Sequence, residues 1–281
     1  MNICVIISSH SPSVYTKLTI ATLLRVVQNN HDLNIHIGVH SNYADYTSDL
    51  SLFKDLKGIA QIHCVDEIDW MANARNNYRY SLMHSKNMEN LLKNIRYYDF
   101  DYVVILDNDL YIKSDFISLL TNNEIEHDLI YNYFVKDVNT INNERRPTGE
   151  YTATVQFAPK IACWNLMISR KLYDRIMEDT TIIYPDRVTD QSQIDFYKSY
   201  IPQFDGTYPI VFDTLSKVLF YSQYIWKDIK TLEVGINEMS EMIKHFFCSS
   251  FNYGIGIVNN TEGESNVTNI YNSEFPNGLI K

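Results

Sequence analysis

Along the first hundred residues, apolar positions come as short unbroken runs separated by stretches in which they recur every three or four places. Ile3 to Ser8 is the first run, and it predicts a strand covered on both faces of a sheet. Ser11 followed by Pro12 marks a helix start, because the serine oxygen caps free amides and proline fits the first helical position. Val14, Leu18, Ala21 and Leu24 then line one helix face, and the stripe ends near Asn29-Asn30. Two further runs, Asn34 to Val39 and Ala60 to Val65, predict strands, with a polar segment around Ser41 to Asp49 between them. The next helix is expected from about Asp69 to Ile95, with Tyr78, Leu82, Leu91 and Ile95 among its inward positions.

Tyr102 to Leu106 is the fourth strand, and KSDFISLL at 113 to 120 reads as a helix. Strands alternating with helices predict an α/β fold, a mainly parallel sheet flanked by helices. Leu129 to Phe134 predicts another strand. Pro147 to Ile168, rich in Thr, Val, Phe and Trp, reads as sheet, and Ser169 to Met177 and Asp190 to Tyr200 read as helices. No linker divides the chain, so the expectation is a single domain over 1–281. Within it, the pattern separates 1–112 from a more mixed 113–250, and a loop-rich tail at 251–281, where Gly, Asn, Ser and Glu gather from Gly254 onward.

Composition narrows what such a fold can do. With 45% hydrophobic and 21% charged residues the chain can bury a core, and its formal charge of -10 offers no basic surface to a nucleic acid or an anionic membrane. An anionic ligand would therefore need a local positive charge. Cys4, Cys64, Cys163 and Cys248 lie far apart, with neither a CxxC pair nor a Cys/His cluster, which signals no zinc site and no disulfide framework. MNICVIISSH lacks the basic leader and apolar core of a signal peptide, and no stretch reaches the roughly 18 apolar residues of a membrane span. The expectation is a cytoplasmic protein, in which the sequons at Asn259 and Asn266 carry little meaning.

FDYVVILDNDLYI, from Phe100 to Ile112, holds the candidate chemistry. An Asp-x-Asp triplet is weak by itself, and Asp99-Phe100-Asp101 at the strand's entrance is a decoy of the same form. Asp107-Asn108-Asp109 differs in position, because ligands of open α/β sheets bind outside the carboxyl ends of the strands. Two carboxylates there suit Mg²⁺ or Mn²⁺, which favour carboxylate and phosphate oxygens. The competing reading is a turn, since Asp and Asn are common turn residues. Leu110 and Tyr111 weigh against it, because an exposed turn rarely resumes so hydrophobically.

The order SSH after the first strand, MANARNNYRYSL at 71 to 82 and YVVILDNDLYI at 102 to 112 resembles the GT-A-fold glycosyltransferases. The likeness is to the inverting nucleotide-sugar transferases, in which an Ala-Arg-Asn segment opens a helix ahead of the strand carrying Asp-x-Asp. Here that segment is Ala74-Arg75-Asn76, and the resemblance covers roughly residues 1 to 200. It implies a Rossmann-like GT-A domain with a nucleotide-sugar half at 1–112 and an acceptor half at 113–250. It implies that Asp109 coordinates Mn²⁺ or Mg²⁺ against the diphosphate, while Asp107 contacts the ribose or the ion's water. Ser8, Ser9, His10, Asp66, Arg75, Asn76, Asp107 and Asn108 would bind the donor, with the Arg75 guanidinium suited to gripping phosphate oxygens. His245, in KHFFCSS, is the candidate third metal ligand beside Asp107 and Asp109, its alternative being a histidine packed beside Phe246 and Phe247.

Inversion at the transferred carbon needs a base for the acceptor hydroxyl. The resemblance implies one at the start of a helix after the acceptor-side strand, and in TDQSQIDFY, which follows WNLMISRKLYDRI, Asp190 is that candidate and Asp195 the second; the alternative for Asp190 is a helix cap. Trp164 and Tyr151 are acceptor-site candidates, since aromatic faces stack on sugars. The sum is a hexosyl- or pentosyltransferase that moves a sugar, from UDP in the first instance, to a carbohydrate hydroxyl. A retaining transferase of the same fold, which needs no base, and a non-catalytic carbohydrate-binding or scaffold protein are the alternatives. A phosphohydrolase would carry its Asp-x-Asp on the first strand, and a sugar nucleotidyltransferase would have a Gly-rich loop where SSHSPS stands. Two departures touch base recognition and spacing. His40-Ser41-Asn42 stands after the second strand where the family usually has an Asp, leaving Asp66 or Glu67 to take over, and the segment from Arg75 to Asp107 is long.

Overall fold

In the computed structural model, which describes residues 1–9, 14–40, 56, 58–65, 79–121, 126–141, 154–162, 165–246, 261–276 and 278, the apolar runs become the middle of a seven-stranded sheet. The first half holds β1 (Asn2–Ser8), α1 (Val14–Val27), β2 (Asp32–His40), β3 (Ala60–Val65), α2 (Arg79–Ile95), β4 (Tyr102–Asp107), β5 (Leu110–Ile112) and α3 (Phe116–Thr121). Next come β6 (Leu129–Tyr131), β7 (Tyr133–Val135), β8 (Asn139–Ile141), β9 (Val155–Phe157), β10 (Lys160–Ile161), β11 (Asn165–Ser169), α4 (Arg170–Glu178), β12 (Asp186–Val188) and α5 (Gln191–Tyr200). The rest is β13 (Ile210–Phe212), α6 (Ser216–Phe220), β14 (Thr231–Glu233), α7 (Ile236–Met242), β15 (Ile243–His245) and α8 (Thr261–Glu274).

The sheet order is β3-β2-β1-β4-β11-β6-β14, and within it only β11 runs against the other strands. Alternation along β1 and β4 sends Ile3, Val5, Ile7, Val104 and Leu106 to one face, against Ile20, Leu23 and Val27 of α1 and Phe116 and Ile117 of α3. Cys4, Ile6, Val103 and Ile105 go to the other, against Met88, Leu91, Leu92 and Ile95 of α2 and Leu172, Tyr173 and Ile176 of α4. Helices on both faces are why these strands read as unbroken apolar runs rather than alternating ones. The order turns back at β1, between β2 and β4, so the carboxyl ends of these strands frame the crevice in which open α/β sheets hold ligands.

Several expectations shift. The tail expected to be loop-rich contains α8, whose Val267 and Tyr271, one turn apart, pack on Tyr15, Leu18 and Ala21 of α1. Burial against a partner helix outweighs a composition poor in helix formers. The strand expected over Leu129 to Phe134 breaks at Asn132, and β7 leaves the main sheet to pair with β10. The helix expected from 113 starts at Phe116, with Asp115 accepting a hydrogen bond from the Ser118 amide at 3.1 Å. Ser11-Pro12, Asp69 and Tyr78 lie outside the described residues. No helix among the described residues is long and apolar enough to cross a membrane.

Candidate metal centre

Asp107 ends β4 and stands beside Ser8 across the parallel register. The chain beyond it does not form an exposed turn. Asn108 is buried and donates through Nδ2 to the Ser9 hydroxyl at 3.0 Å. The backbone then resumes as β5, held from both sides. On one side Thr19 of α1 grips the Leu110 backbone twice, accepting from its amide at 2.9 Å and donating to its carbonyl at 3.0 Å. Thr22 accepts from the Ile112 amide at 3.1 Å. On the other side β15 pairs antiparallel with β5, setting His245 opposite Leu110, and the Phe246 amide donates to the Asp109 carbonyl at 3.0 Å.

This double clamp brings Asp107, Asp109 and His245 into one group, one ligand atom from each lying within 4.8 Å of the others. His245 Nε2 is 3.0 Å from Asp109 Oδ1 and 3.6 Å from Asp107 Oδ2. The side chains of Asp109 and His245 are 2% and 9% exposed, whereas that of Asp107 is 27% exposed, so the group opens on the Asp107 side. Burial disfavours the imidazolium, but the two carboxylates outweigh it and push His245 up to about 9. Without another cation, the protonated ring is thus the counter-ion of the carboxylates. Two carboxylate oxygens and an imidazole form a donor set fit for a small divalent cation, which would displace that proton on binding.

Behind this group, on the α2 side, the Asn87 amide donates to the Gly38 carbonyl at 3.0 Å and to the Ser8 hydroxyl at 3.2 Å. A Cβ at Gly38 would come within 1.7 Å of the Asn87 side-chain oxygen, so a larger residue there would displace this amide. Also on α2, His84 has its pKa lowered by burial, with Asp107 and Asp213 acting to raise it and Lys160 to lower it. Asp213 and Lys160 form an ion pair.

The structure thus brings together Ser8, Ser9, Asn108, Asp107, Asp109 and His245. Asp190 caps α5 and Asp195 lies on it, and Ile194 and Tyr197 of that helix join a core with Phe204, Phe212 and Phe220. Asp190 is the exposed N-cap of α5, accepting from the Gln193 amide at 3.1 Å, and its carboxyl is held below the usual range by the Ser192 hydroxyl and that amide. Asp195 accepts from Gln191 Nε2 at 2.8 Å. His10, Asp66, Glu67, Arg75, Asn76, Tyr151 and Trp164 lie outside the described residues, as does the side chain of His40. The clamp residues Thr19 and Thr22, and Thr16, whose hydroxyl accepts from Asn108 Nδ2 at 3.4 Å, escaped sequence reasoning. Their signal was a polar stripe at three-residue spacing inside an otherwise apolar helix.

No protein-family model matches the chain, and no curated sequence does. Among solved structures, it is similar to mouse Xyloside xylosyltransferase 1 in its apo form, with a TM-score of 0.42 and 9% identity over 83% of this chain and 85% of that one. It is also similar to the mannosyltransferase PcManGT from Pyrobaculum calidifontis in complex with GDP-Man and Mn²⁺, with a TM-score of 0.36 and 11% identity over 62% of this chain and 46% of that one. At such identity and TM-score, neither likeness assigns a residue or an activity to this chain.

Proposed function

We propose that the chain is a metal-dependent glycosyltransferase that moves a sugar from a nucleotide-diphosphate donor, a UDP-sugar in the first instance, to a carbohydrate hydroxyl. The observation that carries this reading is the convergence of Asp107, Asp109 and His245 at the carboxyl edge of the sheet, beside the strand where the order turns back. Asp109 and His245 are the buried ligands, and the more open Asp107 faces the donor. Asp107, Asp109 and His245 would hold a Mn²⁺ or Mg²⁺, which would supply positive charge to offset a diphosphate in an acidic chain.

The residues' own work is positional. The Thr19 and Thr22 clamp and the β15 pairing fix the carboxylates before a donor arrives, so little ordering remains to oppose binding. Asp190 is the proposed base that takes the acceptor's proton, giving inversion at the transferred carbon, with Asp195 further along the same helix. Titration calorimetry with UDP tests the reading. Binding is expected with Mn²⁺ present and lost in chelator, and an absence of binding under both conditions overturns it. Proton NMR of the first product formed reads the anomeric configuration, and a retained configuration removes the base role from Asp190.

A further inference from the structure

Beyond β4, at the same carboxyl edge of the sheet, lie two amides that the metal-ligand group does not use. Asn132 and Asn165 are 0% and 2% exposed, and among the described residues neither the Nδ2 nor the Oδ1 of either has a hydrogen-bond partner. Strand register sets them side by side. β11 runs antiparallel to β6 with Ile168 opposite Leu129 and Met167 opposite Ile130, so continuing the same register brings Asn165 opposite Asn132. Residues directly opposite across an antiparallel pair share a face and lie close. On its other side Asn165 is opposite Leu106, the residue before Asp107. The two amides therefore occupy the carboxyl edge of the sheet one and two strands beyond β4, on the side away from β1.

A buried amide atom left without a partner costs about 1–3 kcal/mol, and a leucine at either place fills a similar volume without that cost. Two such side chains together are outside the usual pattern, in which buried polar groups are satisfied. Each amide presents a carbonyl oxygen that accepts and an NH₂ that donates. A carboxylate ligand answers only the donors and an ammonium only the acceptors. A hydroxyl does both, and neighbouring hydroxyls on a sugar ring match two neighbouring amides.

We infer that Asn132 and Asn165 form a hydroxyl-binding subsite that receives the sugar ring of a nucleotide sugar whose diphosphate lies at Asp107, Asp109 and His245, an inference that rests on the donor reading above. The crevice at β1 accommodates the nucleotide, the carboxylates at the end of β4 mark its diphosphate, and the amides lie further along the same edge. Both amides are shielded from solvent, so the ring enters by local opening at this edge.

Calorimetry in Mn²⁺ tests the subsite with UDP-glucose, UDP-N-acetylglucosamine and GDP-mannose, each compared with its own nucleoside diphosphate. In Asn132→Leu and Asn165→Leu, the affinity for the diphosphate is expected to stay within two-fold of the parent protein, while the preferred nucleotide sugar binds at least ten-fold more weakly. Asn132→Ser and Asn165→Ser serve the same comparison if leucine prevents folding, and melting curves monitor the fold of each variant. Nucleotide-sugar affinity unchanged in every folded variant overturns the subsite, leaving the amides as holders of internal water only. Equal loss for diphosphate and nucleotide sugar also overturns it, since the pair then supports the metal centre rather than the sugar. If the parent protein binds no nucleotide with Mn²⁺, the donor reading itself fails, and the inference with it.

Discussion

β4 carries the same kind of triplet at each end, and the chain uses the two differently. At the entrance, Asp101 of Asp99-Phe100-Asp101 accepts a hydrogen bond from the Asn2 amide at 2.8 Å, tying β1 to β4, while Phe100 points into the core against Tyr173. At the exit, Asp109 is nearly closed off from solvent and faces His245, and the backbone on both sides of it is gripped by other elements. An exposed carboxylate with one amide partner is a strand tie. A buried carboxylate beside a second one, with an imidazole between them, is a charge cluster that a cation would stabilise. Two aspartates two residues apart say little; what reaches them from α1 and β15 decides what they do.

The largest expected effect sharpens that contrast directly. Asp109→Ala removes a buried carboxylate of the candidate ligand group, and Mn²⁺-dependent UDP binding is expected to weaken at least about 100-fold, roughly 3 kcal/mol. Calorimetry at fixed Mn²⁺ reads it. Binding that survives in Asp109→Ala would mean that the exit triplet, like the entrance one, is only structural.

How much of this was legible in the sequence depended on the range of the interactions involved. β1 and β4 were readable because a strand covered by helices on both faces must be apolar at nearly every position. Asp107 and Asp109 were readable from their place at the end of such a strand. His245 was reached only through resemblance, because its pairing with Leu110 joins a three-residue strand to one far back in the chain. The threonine clamp is a polar stripe inside an otherwise apolar helix, and Asn132 and Asn165 fall within segments that read simply as sheet, Leu129 to Phe134 and Pro147 to Ile168. Their burial is a property of neighbours that no local pattern contains. α8 was missed for the same reason, since its helix is stabilised by a face of α1 remote in sequence.

A second comparison is between two histidines. His245, beside two carboxylates, is pushed up; His36, fully buried under α2 beside His63 and the edge of Tyr98, is pushed down to about 4 by burial first and by His63 second. Its ring nitrogen Nδ1 is 3.0 Å from His63 Nε2. In the unfolded chain His36 takes its proton near its ordinary value of 6.5, and in the folded chain only near 4. Between those values the unfolded state binds more protons, so stability is expected to fall as pH drops through that window, by about 3 kcal/mol in total. His36→Phe keeps a ring and removes the proton site. Urea unfolding from pH 7 to 4 should show a shallower decline in the variant, and identical declines would remove His36 from the account of acid sensitivity.

Thr19→Val tests the clamp. Valine has nearly the same shape, but the Leu110 amide and carbonyl lose their side-chain partner, at an expected cost of about 2 kcal/mol in unfolding free energy. Because Leu110 adjoins Asp109, Mn²⁺-dependent UDP binding should weaken by about ten-fold, or 1.4 kcal/mol. Loss of stability with unchanged binding would show that β15 alone fixes the exit triplet.

The smallest effect belongs to the entrance triplet, and its smallness is the point. Asp101→Ala removes the acceptor for the Asn2 amide on an exposed face, where water replaces the lost oxygen. The expected cost is less than about 1 kcal/mol, the size of an ordinary solvent-exposed hydrogen bond. Mn²⁺-dependent UDP affinity should stay within two-fold, since Asp101 lies at the amino end of β4 and the candidate metal centre at the carboxyl end. Measured beside Asp109→Ala in the same titration, this variant separates loss of an aspartate near β4 from loss of the ligand group. A comparable fall in both would mean that the two ends of the strand are coupled through the sheet, and that Asp109 acts on UDP through the fold rather than through a bound cation.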